Sequence, residues 1–270
     1  MLAATLITDP DDPRIEPFIG LRDHELRKRR EQRGGDMAGV FICEGDLVVE
    51  RALAAGYRVI SLLIDAKRTK PFPFEIGPDV ALYAATEPVL ELITGFHLHR
   101  GVLACLARRA VPTPGDVLPG ARRVVVTENV NNPTNLGIIV RSAAALGIDA
   151  LLLDSTSCDP LYRRASRVSM GEVFKLPYAW LGPFPDGLDL LRDQGFELVA
   201  LTPAADARSI ESLERHEGKL ALLFGAEGPG LSIPTMSACD HYVRIPMRDG
   251  VDSLNIAAAA AIAMWCLTRE

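Results

Sequence analysis

Several common signals are missing from this 270-residue chain, and each absence narrows what it can be. No apolar run reaches the roughly 20 residues that a membrane-spanning helix needs. The longest, Ile256 to Leu267, reads instead as a buried helix. The opening MLAATLITDPDDPR has no basic stretch followed by a long apolar core, so no secretory signal is visible and a cytoplasmic location is expected. Cysteine is sparse: Cys43, Cys105, Cys158, Cys239 and Cys266 are scattered, with no CxxC pair and no nearby histidine pattern. That argues against a structural zinc site and a disulfide framework, and leaves the thiols as packing residues, with Cys266 a core thiol of the last helix. The nucleotide fingerprints GxGxxG and GxxxxGK(S/T) are absent too, since GAEGPG at 225–230 orders its glycines differently.

Positive charge is also in short supply. The formal net charge is −6 and the pI near 5.5, whereas nucleic-acid binders often have a pI above about 9. Two local runs answer this in part: HELRKRREQR at 24–33 and LYRRASR at 161–167, with Arg100, Arg108, Arg109, Arg122 and Arg123 adding to them. Such runs are either solvated helix faces or contacts for an acidic partner.

What is present is an alternation of strand-like and helix-like segments. FICEGDLVVERALAAGYRVISLLID reads as strand, amphipathic helix and strand; ALYAAT, EPVLELIT and GVLACLAR continue the pattern. This predicts a small α/β domain over 1–110, led by a polar, Arg-rich arm. A Pro/Gly-rich linker follows at 111–121. A second series over 122–270 runs RVVVTEN, NLGIIVRSAAALG, ALLLD, PLYRRASRVSM, PDGLDLLRDQG, FELVALT, LALLFG, HYVRIPM and SLNIAAAAAIAMWCL. Strands alternating with helices predict a mostly parallel sheet covered on both faces.

Three loops in this second series carry most of the polar chemistry, and in α/β domains ligand sites sit beyond the strand ends. ENVNNPTNLG holds Asn135 and leads to Arg141; GAEGPG holds Glu227; RDGVDSLN holds Ser253 and Asn255. Each has a plain structural reading. Gly225, Gly228 and Gly230 suit a tight turn with positive φ. Ser253 is placed to cap the final helix, with Asn255 just inside it. Asn135 is placed to cap the helix carrying Arg141, and Arg141 to bridge to Glu227. The alternative is one composite ligand site.

Read in order, NVNNPTNLGIIVRSAAALG, LALLFGAEGPGLS and IPMRDGVDSLNIAAA, with RRASRVSMGEVFKLP between them, resemble the three motifs of the SpoU (TrmH-like) branch of the SPOUT superfamily of RNA methyltransferases. The resemblance is strong over 122–270. Residues 1–110 resemble, more loosely, the ribosomal-protein-like substrate-binding domain fused ahead of rRNA 2′-O-methyltransferases. The resemblance implies a deep trefoil knot, a homodimer built on the final and motif-one helices, S-adenosylmethionine as cofactor and no metal. It implies transfer of a methyl group to a ribose 2′-hydroxyl of RNA, with rRNA favoured over tRNA. A catalytically silent RNA-binding protein on the same scaffold is the alternative. The family's catalytic set falls on Asn135, Arg141, Glu227, Ser253 and Asn255. Its cofactor contacts fall on Thr202, Gly225, Ala226, Gly230, Ile245, Met247, Ser253 and Leu254. RNA phosphates are expected at Arg27, Lys28, Arg29, Arg30, Arg33 and Arg141.

Overall fold

A computed structural model describes residues 4–22, 24–31, 34–98, 101–213 and 217–268. The chain divides into two compact units, one comprising residues 1–110 with 161–171, the other residues 111–160 with 172–270. The split is therefore not sequential. The segment containing RRASR belongs to the first unit, although in sequence it lies within the second series.

In the first unit the elements are β1 (Thr5–Ile7), α1 (His24–Glu31), β2 (Val40–Glu44), α2 (Asp46–Ala54), β3 (Val59–Asp65), β4 (Ala81–Ala85), α3 (Glu87–Thr94) and β5 (Val102–Ala107). Among the described residues the strands form one mixed sheet in the order β1-β4-β3-β5-β2, with β5 antiparallel to β2 and β3. Ile15, Phe18, Ile42, Leu63, Ile93 and Leu103 form its core. Residues 24–31 of the Arg-rich run form helix α1, where i, i+4 spacing puts Arg27 and Glu31 on one face, here buried, as an ion pair of 2.5 Å.

The second unit contains α4 (Pro114–Val117), β6 (Arg123–Thr127), α5 (Pro133–Ala145), β7 (Ala150–Leu153), then, after α6 (Arg163–Val168) of the first unit, β8 (Tyr178–Trp180), α7 (Asp189–Asp193), β9 (Phe196–Leu201), β10 (Arg208–Ser209), β11 (Lys219–Phe224), α8 (Ile233–Ser237), β12 (His241–Arg244) and α9 (Ile256–Thr268). The strands join as one sheet, order β10-β12-β9-β11-β6-β7-β8, with every pair parallel. Runs such as ALLL in β7 are buried at every position, as a sheet covered on both faces requires. Alternate residues Val124, Val126, Leu152, Leu198 and Leu223 pack with Leu191 of α7 in one cluster. Helix α9 packs on β11 and α5 and contributes none of its buried residues to that cluster, so it covers the other face. The Pro/Gly-rich stretch from 111 is more than a tether. Thr113 and Asp116 form a capping box on α4, and Leu118 and Ala121 are buried in the core.

Among the described residues no helix is long and apolar enough to cross a membrane. Four of the cysteines are buried, and burial pushes their thiols up, to about 11 for Cys105 and about 12 for Cys158 and Cys239. Cys266 is only half-buried and is less of a core residue than its place on α9 suggests.

Candidate active site

Parallel strands all point their carboxyl ends to one edge of the sheet, and there the second unit opens a cavity of about 400 Å³. It lies across the neighbouring strands β12, β9 and β11. Leu201, Thr202 and Pro203 enter from the end of β9, Phe224 to Gly228 and Gly230 from the end of β11, and Ile245 and Met247 from the end of β12. Ser253, Leu254, Asn255, Ile256 and Ala259 close it from the start of α9. All eight residues expected at a cofactor therefore line this one cavity.

The glycines of the 225–231 loop do different jobs. Gly228 and Gly230 adopt φ of +86° and +73°, a turn conformation that disfavours other residues. Gly225 is needed for another reason: a Cβ there would lie 2.0 Å from the carbonyl carbon of Gly230 and 2.1 Å from the nitrogen of Leu231. The close approach is chain against chain, not only chain against ligand.

The polar residues form a connected set, though not the one the sequence suggested. Asn255, not Ser253, caps α9: its Oδ1 accepts from the backbone N–H of Ala257 at 3.0 Å and of Ala258 at 3.4 Å. Asn is as good a cap as Ser and poor inside a helix, so α9 starts after Asn255 and leaves Ser253 on an exposed loop. Asn255 Nδ2 then donates to Glu227 Oε1 at 3.0 Å and to Asn135 Oδ1 at 3.3 Å. Asn135 does not cap α5 either, because Asn132 does so by accepting from Thr134 N at 2.9 Å. Asn135 sits one turn in, 4% exposed, and its Nδ2 has no hydrogen-bond partner among the described residues. A buried donor left unpaired costs about 1–3 kcal/mol, which marks it as awaiting an acceptor.

Arg141 departs from expectation. Six residues beyond Asn135 on α5, it is exposed and makes no hydrogen bond or ion pair among the described residues. Glu227 is engaged by Asn255, so no Arg141–Glu227 bridge forms. Of the residues expected at RNA phosphates, Arg27 is buried and bonded to Glu31 and to the Pro17 carbonyl. Arg30 is tied to Glu16 at 2.8 Å and Asp36 at 3.0 Å. Arg27 faces the core, whereas Arg30 is partly buried and pairs with two exposed carboxylates. Lys28 and Arg29 remain exposed, while Arg33 lies outside the described residues. Arg122 and Arg123 bind the carbonyls of Glu217 and Gly218.

One supporting residue escaped sequence reasoning. Buried Asp154, just after β7, accepts from the backbone N–H of Asn129, Thr156 and Ser157 at 3.0, 3.1 and 2.9 Å. It also accepts from the Thr156 and Ser157 hydroxyls. It holds the loop before α5, where Asn129 has φ +56°. The local signal was an Asp followed by Ser and Thr in LLLDSTS, a side-chain-to-backbone turn pattern.

A parallel sheet with a pocket across adjacent strand ends defines an α/β ligand-binding domain. The chain belongs to the SpoU rRNA Methylase family, which it matches over residues 122–265, more than half its length. An uncharacterised tRNA/rRNA methyltransferase of Mycobacterium tuberculosis is 42% identical over 268 residues, covering 98% of this chain and 91% of that protein. The 23S rRNA (guanosine(2553)-2′-O)-methyltransferase RlmP of Bacillus subtilis is 27% identical over 255 residues, covering 94% and 98%. The fold matches an AdoMet-bound rRNA methyltransferase from Sinorhizobium meliloti with TM-score 0.78 at 24% identity, covering 98% and 97% of the two chains.

Proposed function

We propose that this protein is an S-adenosylmethionine-dependent RNA ribose 2′-O-methyltransferase that acts on ribosomal RNA. The observation that carries the reading is the convergence of the 202, 225–230 and 245–255 segments on one cavity, bordered by the Asn135–Asn255–Glu227 hydrogen-bond chain. The cavity suits the cofactor. Leu201, Phe224, Ile245, Met247 and Leu254 offer an apolar wall for an adenine ring, and Glu227 offers a counter-charge for a sulfonium. Its volume lies within the usual range for small-molecule sites, roughly 300–1,000 Å³.

When bound, the cofactor supplies an electrophilic methyl group. The chain's own residues then have to position a ribose hydroxyl and stabilise the charge it develops, and positioning alone accounts for several kcal/mol of such barriers. Asn135 is suited to hold a ribose or phosphate oxygen through its unpaired Nδ2. Asn255 fixes the orientation of both Asn135 and Glu227. The guanidinium of Arg141, a donor and not a base, clamps a substrate phosphate and faces developing alkoxide charge. A phosphate or water takes the proton.

The homodimer forms through α5 and α9. Ile138, Ile262 and Trp265 are exposed there, and Arg141 follows Ile138 by one helical step on the same exposed side. Pairing through this face carries Arg141 to the subunit boundary. The C-terminal segment is knotted as in its family; the order β12-β9-β11-β6 and the return of α9 onto α5 support this. The first unit serves as the RNA-binding, ribosomal-protein-like domain, and an RNA substrate places the enzyme in the cytoplasm. The fusion favours rRNA over tRNA.

The test is transfer of labelled methyl from S-adenosylmethionine to rRNA and tRNA from cells lacking the gene, with the product nucleoside identified by mass spectrometry. A 2′-O-methylated nucleoside in rRNA is expected. Methylation of tRNA alone would move the substrate, and RNA binding without turnover would leave a silent binding protein.

A further inference from the structure

One wall of the pocket is the 225–231 loop, where three glycines give the backbone wide conformational freedom. Something must hold it, and one residue outside the expected site touches both of its ends. Glu128 lies just past β6, and its backbone N–H donates to the carbonyl of Phe224 at 2.9 Å, where the loop begins. Its carboxylate accepts from Ser232, where the loop ends: from the backbone N–H at 2.8 Å and from Oγ at 2.7 Å. A third bond, from Thr235 Oγ1 at 2.7 Å, ties the carboxylate to a side chain that is fully buried in α8. Ser232 Oγ itself accepts from Thr235 N at 3.3 Å, which leaves its proton free for Glu128.

We infer that Glu128 is the positioning residue of the cofactor loop, a brace that fixes both ends of 225–231 and so sets the shape of the pocket. The ligand's identity rests on the function proposed above; the brace does not. Bonds to an ionised carboxylate are about twice as strong as neutral ones. Two of them on the loop end at Ser232, a third anchoring the carboxylate to α8, and a backbone bond on the other loop end leave only the short interior to order. There Ala226 and Gly230 exchange both backbone hydrogen bonds, at 3.1 and 3.0 Å. A loop ordered beforehand spares its ligand that ordering cost, which is how a residue that never meets the cofactor strengthens its binding. The bland alternative is that Glu128 only supports the start of α8 and the general stability of the unit.

Amide hydrogen exchange at Ala226 and Gly230 separates the two without any ligand. In Glu128→Ala both amides should exchange at least tenfold faster than in the wild type. In Glu128→Gln the acceleration should be smaller, because the remaining amide oxygen still accepts from Ser232. Calorimetry should show S-adenosylmethionine binding weakened at least tenfold in Glu128→Ala and less in Glu128→Gln, with the rate at saturating cofactor falling less than the affinity. Asp116→Ala, which removes the capping box of α4, serves as a destabilised control and should leave both amides and the affinity unchanged. If Glu128→Ala does not fold, Thr235→Val removes one of the three carboxylate bonds at similar shape and should accelerate exchange several-fold. Wild-type exchange at Ala226 and Gly230 in a folded Glu128 or Thr235 variant overturns the brace. A wild type that binds no S-adenosylmethionine overturns the cofactor reading instead, and the exchange result still decides the role of Glu128.

Discussion

Replacing Arg141 by alanine removes a guanidinium that supports nothing in the fold, since it is exposed and has no partner among the described residues. Melting should therefore shift little, as surface changes away from special features are usually within about 0.5 kcal/mol. Loss of a donor aimed at developing charge, by contrast, costs on the order of a hundredfold or more in rate. Lysine should rescue poorly, because a point charge cannot reproduce the two-pronged contact. A melting curve and a single-turnover methylation assay on one preparation decide it: lost stability with retained turnover would remove Arg141 from the chemistry. Gly225 should behave in the opposite way. Even Gly225→Ala places a Cβ against the Gly230–Leu231 backbone, so the expected result is poor folding of the whole unit, read as loss of soluble protein or a collapsed melting transition. A well-folded Gly225→Ala that merely bound cofactor weakly would show that the ligand, not the chain, sets this constraint.

At the scale of elements, α1 shows how one charged run divides into roles. Arg27→Ala would take the cation out of the buried pair with Glu31, and breaking such a pair typically costs about 3–5 kcal/mol. It should therefore lower the melting temperature, and any effect on RNA binding should follow from that loss. Replacing exposed Lys28 and Arg29 together should leave melting unchanged and reduce the steepness with which RNA affinity falls with salt. An unchanged salt slope in that double variant would leave α1 without an RNA contact. Helix α9 divides in a similar way. Its buried alanines and Met264 pack inward, while Trp265, 55% exposed, and Ile262 face outward.

The whole molecule inherits that outward face. Large apolar side chains on the exposed sides of two adjacent helices suit a second copy, and Trp is a frequent anchor of such interfaces. Trp265→Glu places a charge there and should convert the proposed dimer to monomer in analytical ultracentrifugation, with little change in far-ultraviolet circular dichroism. A wild-type protein that sediments as a monomer, or a variant that stays dimeric, would rule this face out. Activity should fall with the dimer if Arg141 works at the subunit boundary.

Much of this was legible in the order of residues. The parallel sheet followed from short, fully apolar runs alternating with helical segments, because a strand covered on both faces has no polar side to show. The three polar loops were visible because each follows a strand and departs from helix and strand chemistry. The eight positions that the family resemblance implied for a cofactor all line the cavity. Tertiary structure alone decided which polar group meets which. Asn255 rather than Ser253 caps α9, Glu227 meets Asn255 rather than Arg141, and Arg27 turns inward to Glu31. Those outcomes depend on where separate elements end and which helix face is covered, and neither has a local signature. The return of residues 161–171 to the first unit and the two-ended hold of Glu128 on the glycine loop are of the same kind. They join residues that the sequence keeps far apart, and only the packed sheet brings them within hydrogen-bonding distance.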